Sequence, residues 1–67
     1  MKLFIRLRVP ESGKLSLPEV LPTLNIEYVR SRNAEGGDME VDAYVDSQHI
    51  NDAEILLSDQ GIILEKF

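Results

Sequence analysis

One histidine, no cysteine, five serines and twelve acids set the chemistry open to this 67-residue chain. His49 has no second His and no Cys to join it in a metal site, so it reads as a surface residue just ahead of a helix. Ser12, Ser16, Ser31, Ser47 and Ser58 form no spacing with His49 that supports a nucleophilic triad. Glu40 and Asp42 stand two residues apart, which is the spacing of one strand face. Such a face is open and flat, unlike the cleft in which paired carboxylates drive each other's pKa values apart. Gly36-Gly37 reads as a turn, because no glycine-rich run joins a strand to a helix with phosphate-loop spacing. No catalytic residue, metal ligand or cofactor site is therefore expected, and the chain does not read as an enzyme.

Charge narrows the partners. Twelve acids against seven bases give a net charge of −5. That disfavours nucleic acid and anionic membranes, whose binding depends on Lys and Arg neutralising phosphate. Phe4 and Tyr44 fall where single-stranded RNA could stack on a sheet, but acids lie beside them and no Lys/Arg-Gly-Phe run is present. No apolar run approaches the ~20 residues that span a bilayer. The first eight residues are too short and too charged for a signal peptide, so a cytoplasmic protein is the default. A single domain of this size buries only about 60% of its unfolded surface. With neither disulfides nor a metal cluster to add stability, self-association into a homodimer or higher homo-oligomer is a reasonable source of further burial.

The elements that would position these side chains follow from periodicity. Residues 2–9 alternate, with Leu3, Ile5, Leu7 and Val9 on one side and Lys2, Phe4, Arg6 and Arg8 on the other, until Pro10 stops the strand. Residues 10–14 form a loop in which Gly13 permits a positive φ. Ser16 and Glu19 have capping-box spacing, and Pro18 suits a first helical turn. A short helix over residues 17–24 is predicted, shortened or kinked by Pro22 and closed by Asn25. Residues 26–32 and 39–45 flank a turn of Asn, Gly, Gly and Asp, which predicts a β-hairpin. Asn51, Asp52 and Glu54 predict a second helix start, Ala53, Leu56, Leu57 and Gln60 its stripe, and Gly61 its end. Residues 62–67 form the last strand.

The order β-α-β-β-α-β predicts an α+β, ferredoxin-like βαββαβ sandwich over residues 1–67: a four-stranded antiparallel sheet in order 4-1-3-2 with two short helices on one face. The predicted core is Leu3, Ile5, Leu7, Val9, Leu17, Val20, Leu21, Leu24, Ile26, Tyr28, Met39, Val41, Ala43, Val45, Ala53, Leu56, Leu57, Ile62 and Leu64. The outer face would set Arg6 and Arg8 beside Glu40, Asp42 and Asp46. Phe4, Val29, Tyr44, Ile63 and Phe67 on that side are more apolar surface than a monomer needs. The second strand is an open edge carrying Ile26, Tyr28 and Val29, and such edges must be covered or paired. The loop at 10–14 joins a central strand to a helix start, where free N–H groups favour an anion such as a carboxylate.

Three stretches resemble one family. Val9-Pro10-Glu11-Ser12-Gly13-Lys14-Leu15 resembles the first-strand exit of the ACT domain, which reads roughly Asp-x-Pro-Gly-x-Leu. Asn25-Ile26-Glu27-Tyr28-Val29 resembles the start of that family's second strand. Residues 52–57 and 61–64 resemble its second helix and last strand. The chain is thus similar to a stand-alone ACT domain, a small regulatory module of amino-acid metabolism. It departs from the family in the ligand loop, where Glu11 and Ser12 stand near the missing Asp, and in a first helix about one turn short. The resemblance implies dimers that align edge strands into a continuous sheet. It also implies an amino acid, or a similar small carboxylate, held between the loop of one copy and the second strand of another. Gly13 would let the ligand approach the backbone, Lys14 would supply charge to its carboxylate, and Asn25 would meet its polar groups. The alternative is a protein-interaction or oligomerisation domain with no small-molecule ligand.

Overall fold

The structure, a computed structural model, describes residues 1–66. Strand β1 (Lys2–Val9) leads through a 3₁₀ turn (Glu11–Gly13) to helix α1 (Leu17–Thr23) and strand β2 (Glu27–Asn33). A second 3₁₀ turn (Glu35–Gly37) leads to strand β3 (Met39–Asp46), helix α2 (Ile50–Asp59) and strand β4 (Ile63–Lys66). The antiparallel sheet has the order β2-β3-β1-β4, so β1 and β3 are central, as the alternating sequence predicts. This is the ferredoxin-like α+β arrangement. Phe67, placed by the sequence reading in the last strand and on the outer face, lies outside the described residues. No helix among the described residues is long and apolar enough to cross a membrane.

Register follows from the alternation of β1 and β3. Leu3 pairs with Val45, Ile5 with Ala43, Leu7 with Val41 and Val9 with Met39. A one-residue slip would turn this whole apolar set to the other face. Ile5, Leu7, Val9, Val41, Ala43 and Val45 are buried against Leu17 and Leu21 of α1 and against Ile50, Ala53 and Leu57 of α2. Ile26, Ile62 and Leu64 complete the core, and Leu3, Val20, Leu24 and Met39 pack on it half-buried.

Both helices end the same way. Asn25 has φ +55° and Gly61 φ +77°. The Ile26 N–H donates to the Leu21 carbonyl at 2.9 Å and the Asn25 N–H to that of Pro22 at 3.1 Å. The Ile62 N–H donates to the Leu57 carbonyl at 2.9 Å and the Gly61 N–H to that of Ser58 at 2.9 Å. These are Schellman caps, each accompanied by a buried apolar pair: Leu21 with Ile26, Leu57 with Ile62. Each cap turns the chain from a helix directly into the next strand.

Several local expectations are corrected. Tyr28 and Leu56, predicted for the core, are 53% and 48% exposed. Tyr28 stands on the edge strand, with a strand neighbour on one side only. Leu56 is displaced because the buried stripe of α2 is Ile50, Ala53 and Leu57. The helix starts at Ile50, so Asn51 is not its cap. Burying an Ile contributes about 1.5–3 kcal/mol, more than the ~1 kcal/mol of a good N-cap. Ser16 makes no capping-box bond, and its hydroxyl donates instead to the Gly13 carbonyl at 3.0 Å. Gly13 is not among the residues with positive φ, which are Asn25, Gly36, Gly37 and Gly61.

Candidate functional site

The open sheet face carries the densest polar constellation, and a bulge in β2 builds it. On β3, Glu40, Asp42, Tyr44 and Asp46 alternate with the core residues and so point away from the helices. On β1, Arg6 pairs with Asp42, Arg8 with Glu40, and Phe4 with Tyr44. On β2, Glu27 lies opposite Tyr44, but strict alternation from Glu27 would put Ser31 and Asn33 on the open face. The register shifts between Tyr28 and Arg30, leaving Val29 as the extra residue. The shift sets Arg30 opposite Asp42 and Arg32 opposite Glu40. A bulge of this kind re-aims the side chains that follow it.

All four arginines of the chain therefore share one face. Asp42 at its centre is only 1% exposed. Arg6 Nε donates to its Oδ1 at 3.0 Å, Arg30 Nε to its Oδ2 at 2.9 Å, and Arg32 Nη1 to Oδ2 at 3.3 Å. The hydrogen bonds from Arg30 and Arg6 lower the Asp42 pKa from 3.8 to about 2, against the opposing effect of burial. The same bond raises the Arg6 pKa. Arg32 Nε also reaches Glu40 at 3.0 Å, and Arg8 Nε reaches Asp38 at 3.3 Å. Lys2 binds Glu27, which raises the lysine pKa. Asp46 accepts the Gln48 N–H at 3.0 Å, which lowers its pKa. With its carboxyl held this far below the usual range, Asp42 is a poor proton donor near neutral pH and a good structural staple between strands. Beside the charges, Phe4 and Tyr44 meet edge to face with ring centroids 5.3 Å apart.

The residues expected to bind a ligand are placed apart. Gly13 is buried in the 3₁₀ turn, with its N–H given to the Pro10 carbonyl at 2.9 Å. The Lys14 N–H is given to the Glu11 carbonyl at 3.4 Å. Those two donors are thus spent within the loop. The Lys14 side chain is half-buried and has no ion-pair partner among the described residues. Asn25, past the far end of α1, lines a depression of about 200 Å³ with His49 and Asp52. Of the edge residues, Ile26 is buried in the core, while Tyr28 and Val29 are exposed.

That depression runs into a groove of about 300 Å³ between the two helices, with Thr23, Leu24 and Leu56 common to both. Sequence reasoning missed this groove, because it depends on how far apart two helices come to rest. It also missed Arg30 and Arg32 on the open face, although the repeated Arg-x-Arg of β1 and β2 was a usable signal.

No protein-family model matches the chain. A search of curated proteins likewise finds no match. The fold itself serves many unrelated functions, so function has to be argued from surfaces and sites.

Proposed function

We propose that the protein is a non-enzymatic, cytoplasmic association module that pairs with a second copy of itself along β2. The observation that carries this reading is that all seven residues of β2 are exposed, in a strand hydrogen-bonded on one side only. Its free N–H and C=O groups are a template for a further strand. Val29 and Tyr28, 45% and 53% exposed, put apolar surface at that edge. Charge selects the register. Arg30 and Arg32 would repel their own copies across a two-fold axis, because like charges directly opposite are destabilising. A register that sets Glu27 against Arg32 of the partner subunit avoids this and also sets Tyr28 against Ser31 of the partner subunit. Glu27 and Arg32 both lie on the open face and Tyr28 and Ser31 both on the helix side, so each pair keeps its face and the two sheets run on as one.

Sedimentation equilibrium from micromolar to millimolar protein tests the reading. A dimer that dissociates on dilution, and that Val29→Lys shifts to monomer, is the expected outcome. A monomer throughout the range sinks it.

A second reading adds a small ligand: an amino acid or similar carboxylate held by Gly13 and Lys14 of one copy and Asn25 of the other. The observation in its favour is the Lys14 ammonium, which no acid among the described residues neutralises. This is the regulatory role that the ACT-domain resemblance implies. Calorimetric titration with the common amino acids tests it, and the absence of heat at millimolar ligand would count decisively against it.

A further inference from the structure

The helical layer differs from the open sheet face in one physical respect: it has acids and no compensating bases. No Lys or Arg occurs in residues 15–29 or 33–65. The groove between α1 and α2 has an apolar floor of Val20, Leu24 and Leu56, rimmed by Glu19 and Asp59. Asp52 continues the acidic rim along the adjoining depression. Leu56, in that floor, is 48% exposed, so the apolar surface of the groove is open to a partner.

We propose that this groove docks a cationic amphipathic helix of a partner protein, with an apolar stripe on Val20, Leu24 and Leu56 and flanking Lys or Arg on the acids. Helix-in-groove recognition uses this combination of an apolar seam and matched charges. Asp52 and Asp59 lie on one face of α2, about 10 Å apart along the axis, which matches bases two helical turns apart on the incoming helix. Glu19 supplies the opposite rim. Charge also selects against the other occupants. A second copy meeting groove to groove would set acid against acid, and an anionic lipid surface or a small carboxylate meets the same repulsion. The proposal concerns the layer opposite the open sheet face and does not depend on pairing through β2.

Two labelled peptides test it: a Leu/Ala/Lys sequence patterned as an amphipathic helix, and the same sequence with Glu in place of Lys. Binding is read by fluorescence anisotropy at low salt and located by NMR of the Val20, Leu24 and Leu56 methyl groups. The Lys peptide is expected to bind and shift those methyls, and the Glu peptide to leave them unmoved. Replacing Asp52 and Asp59 together by Asn should weaken binding about five- to tenfold. Leu56→Ser, at an exposed position that leaves the core intact, should weaken it about tenfold. Equal binding of both peptides would overturn the proposal. So would full affinity in Leu56→Ser, because the surface would then be acidic without being a groove. Loss of self-association in Leu56→Ser, read by sedimentation without peptide, would assign the groove to a second copy and overturn it as well.

Discussion

Arg6 and Arg30 close on Asp42 from the two sides of β3, Nε to Oδ1 at 3.0 Å and Nε to Oδ2 at 2.9 Å. One carboxylate thus ties the β2–β3 hairpin to β1, whose Arg6 lies 36 residues away in sequence. Its position is buried even though it lies on the face that no helix covers. A carboxylate there without its cations would be an unpaired charge, and cations there without it would repel one another. The group acts as a unit.

Replacing Asp42 by Asn removes the charge but keeps the shape, leaving Arg6, Arg30 and Arg32 facing a neutral group. The urea midpoint should fall further than in Glu40→Gln, whose half-buried carboxylate accepts from Arg32. Combining Asp42→Asn with Arg30→Gln should restore part of the loss, because one of the unpaired cations is then gone. A double variant as unstable as the sum of its parts would mean that the groups act independently.

Acid should unfold the protein in a definite window. The Asp42 pKa is depressed in the folded state, to about 2 from 3.8. Its contribution is therefore complete above about pH 4 and lost as pH falls through the folded value. Asp46 is shifted in the same direction. The urea midpoint should hold steady between neutrality and pH 5 and drop between about pH 4 and 2. In Asp42→Asn that drop should be shallower, as followed by circular dichroism.

Gly13→Ala should leave the fold intact. Its φ is not in the left-handed region, and an added Cβ would meet the Gln60 carbonyl oxygen, Pro10 Cδ and Val9 Cγ1 at 3.6 Å, which is ordinary contact. Stability should change by no more than about 1 kcal/mol. Gly37→Ala should cost about 1 kcal/mol or more, because its φ is +82° and the new Cβ would sit 2.9 Å from Glu11 Oε2. Chemical denaturation of the two variants checks the contrast. A folded Gly13→Ala protein also makes it possible to ask whether this backbone is where a carboxylate ligand approaches.

How much the sequence reveals depends on how many neighbours decide each feature. In β1 and β3 two neighbouring strands and a helical layer agree with the alternation, so Ile5, Leu7, Val41 and Val45 could be read directly. The helix ends at Asn25 and Gly61 were legible because positive φ selects so few residue types. Strand β2 was harder. Its bulge falls at Val29, a β-branched residue that suits a regular strand and gives no warning. Missing that one residue inverts the faces of everything after it, which hid Arg30 and Arg32 from the Asp42 cluster. The groove was invisible for a different reason: Val20 and Leu24 look like core residues in sequence, and only the spacing of the helices leaves them half-buried.

The start of α2 gives the sharpest contrast between local signal and packing. Asn51 has the stronger local preference for an N-cap, yet the helix begins at Ile50, whose side chain is 8% exposed and joins the core. Ile50→Ala should therefore cost about 2–5 kcal/mol. Asn51 is exposed and caps nothing, so Asn51→Ala should stay within about 0.5 kcal/mol of the parent. Leu57→Ala, at a fully buried position on the same stripe, should resemble Ile50→Ala, whereas Leu56→Ala should be mild. Urea denaturation of the four variants measures all of this. If Asn51→Ala and Leu56→Ala were the damaging pair, the helix in solution would be rotated to the stripe that capping alone predicts.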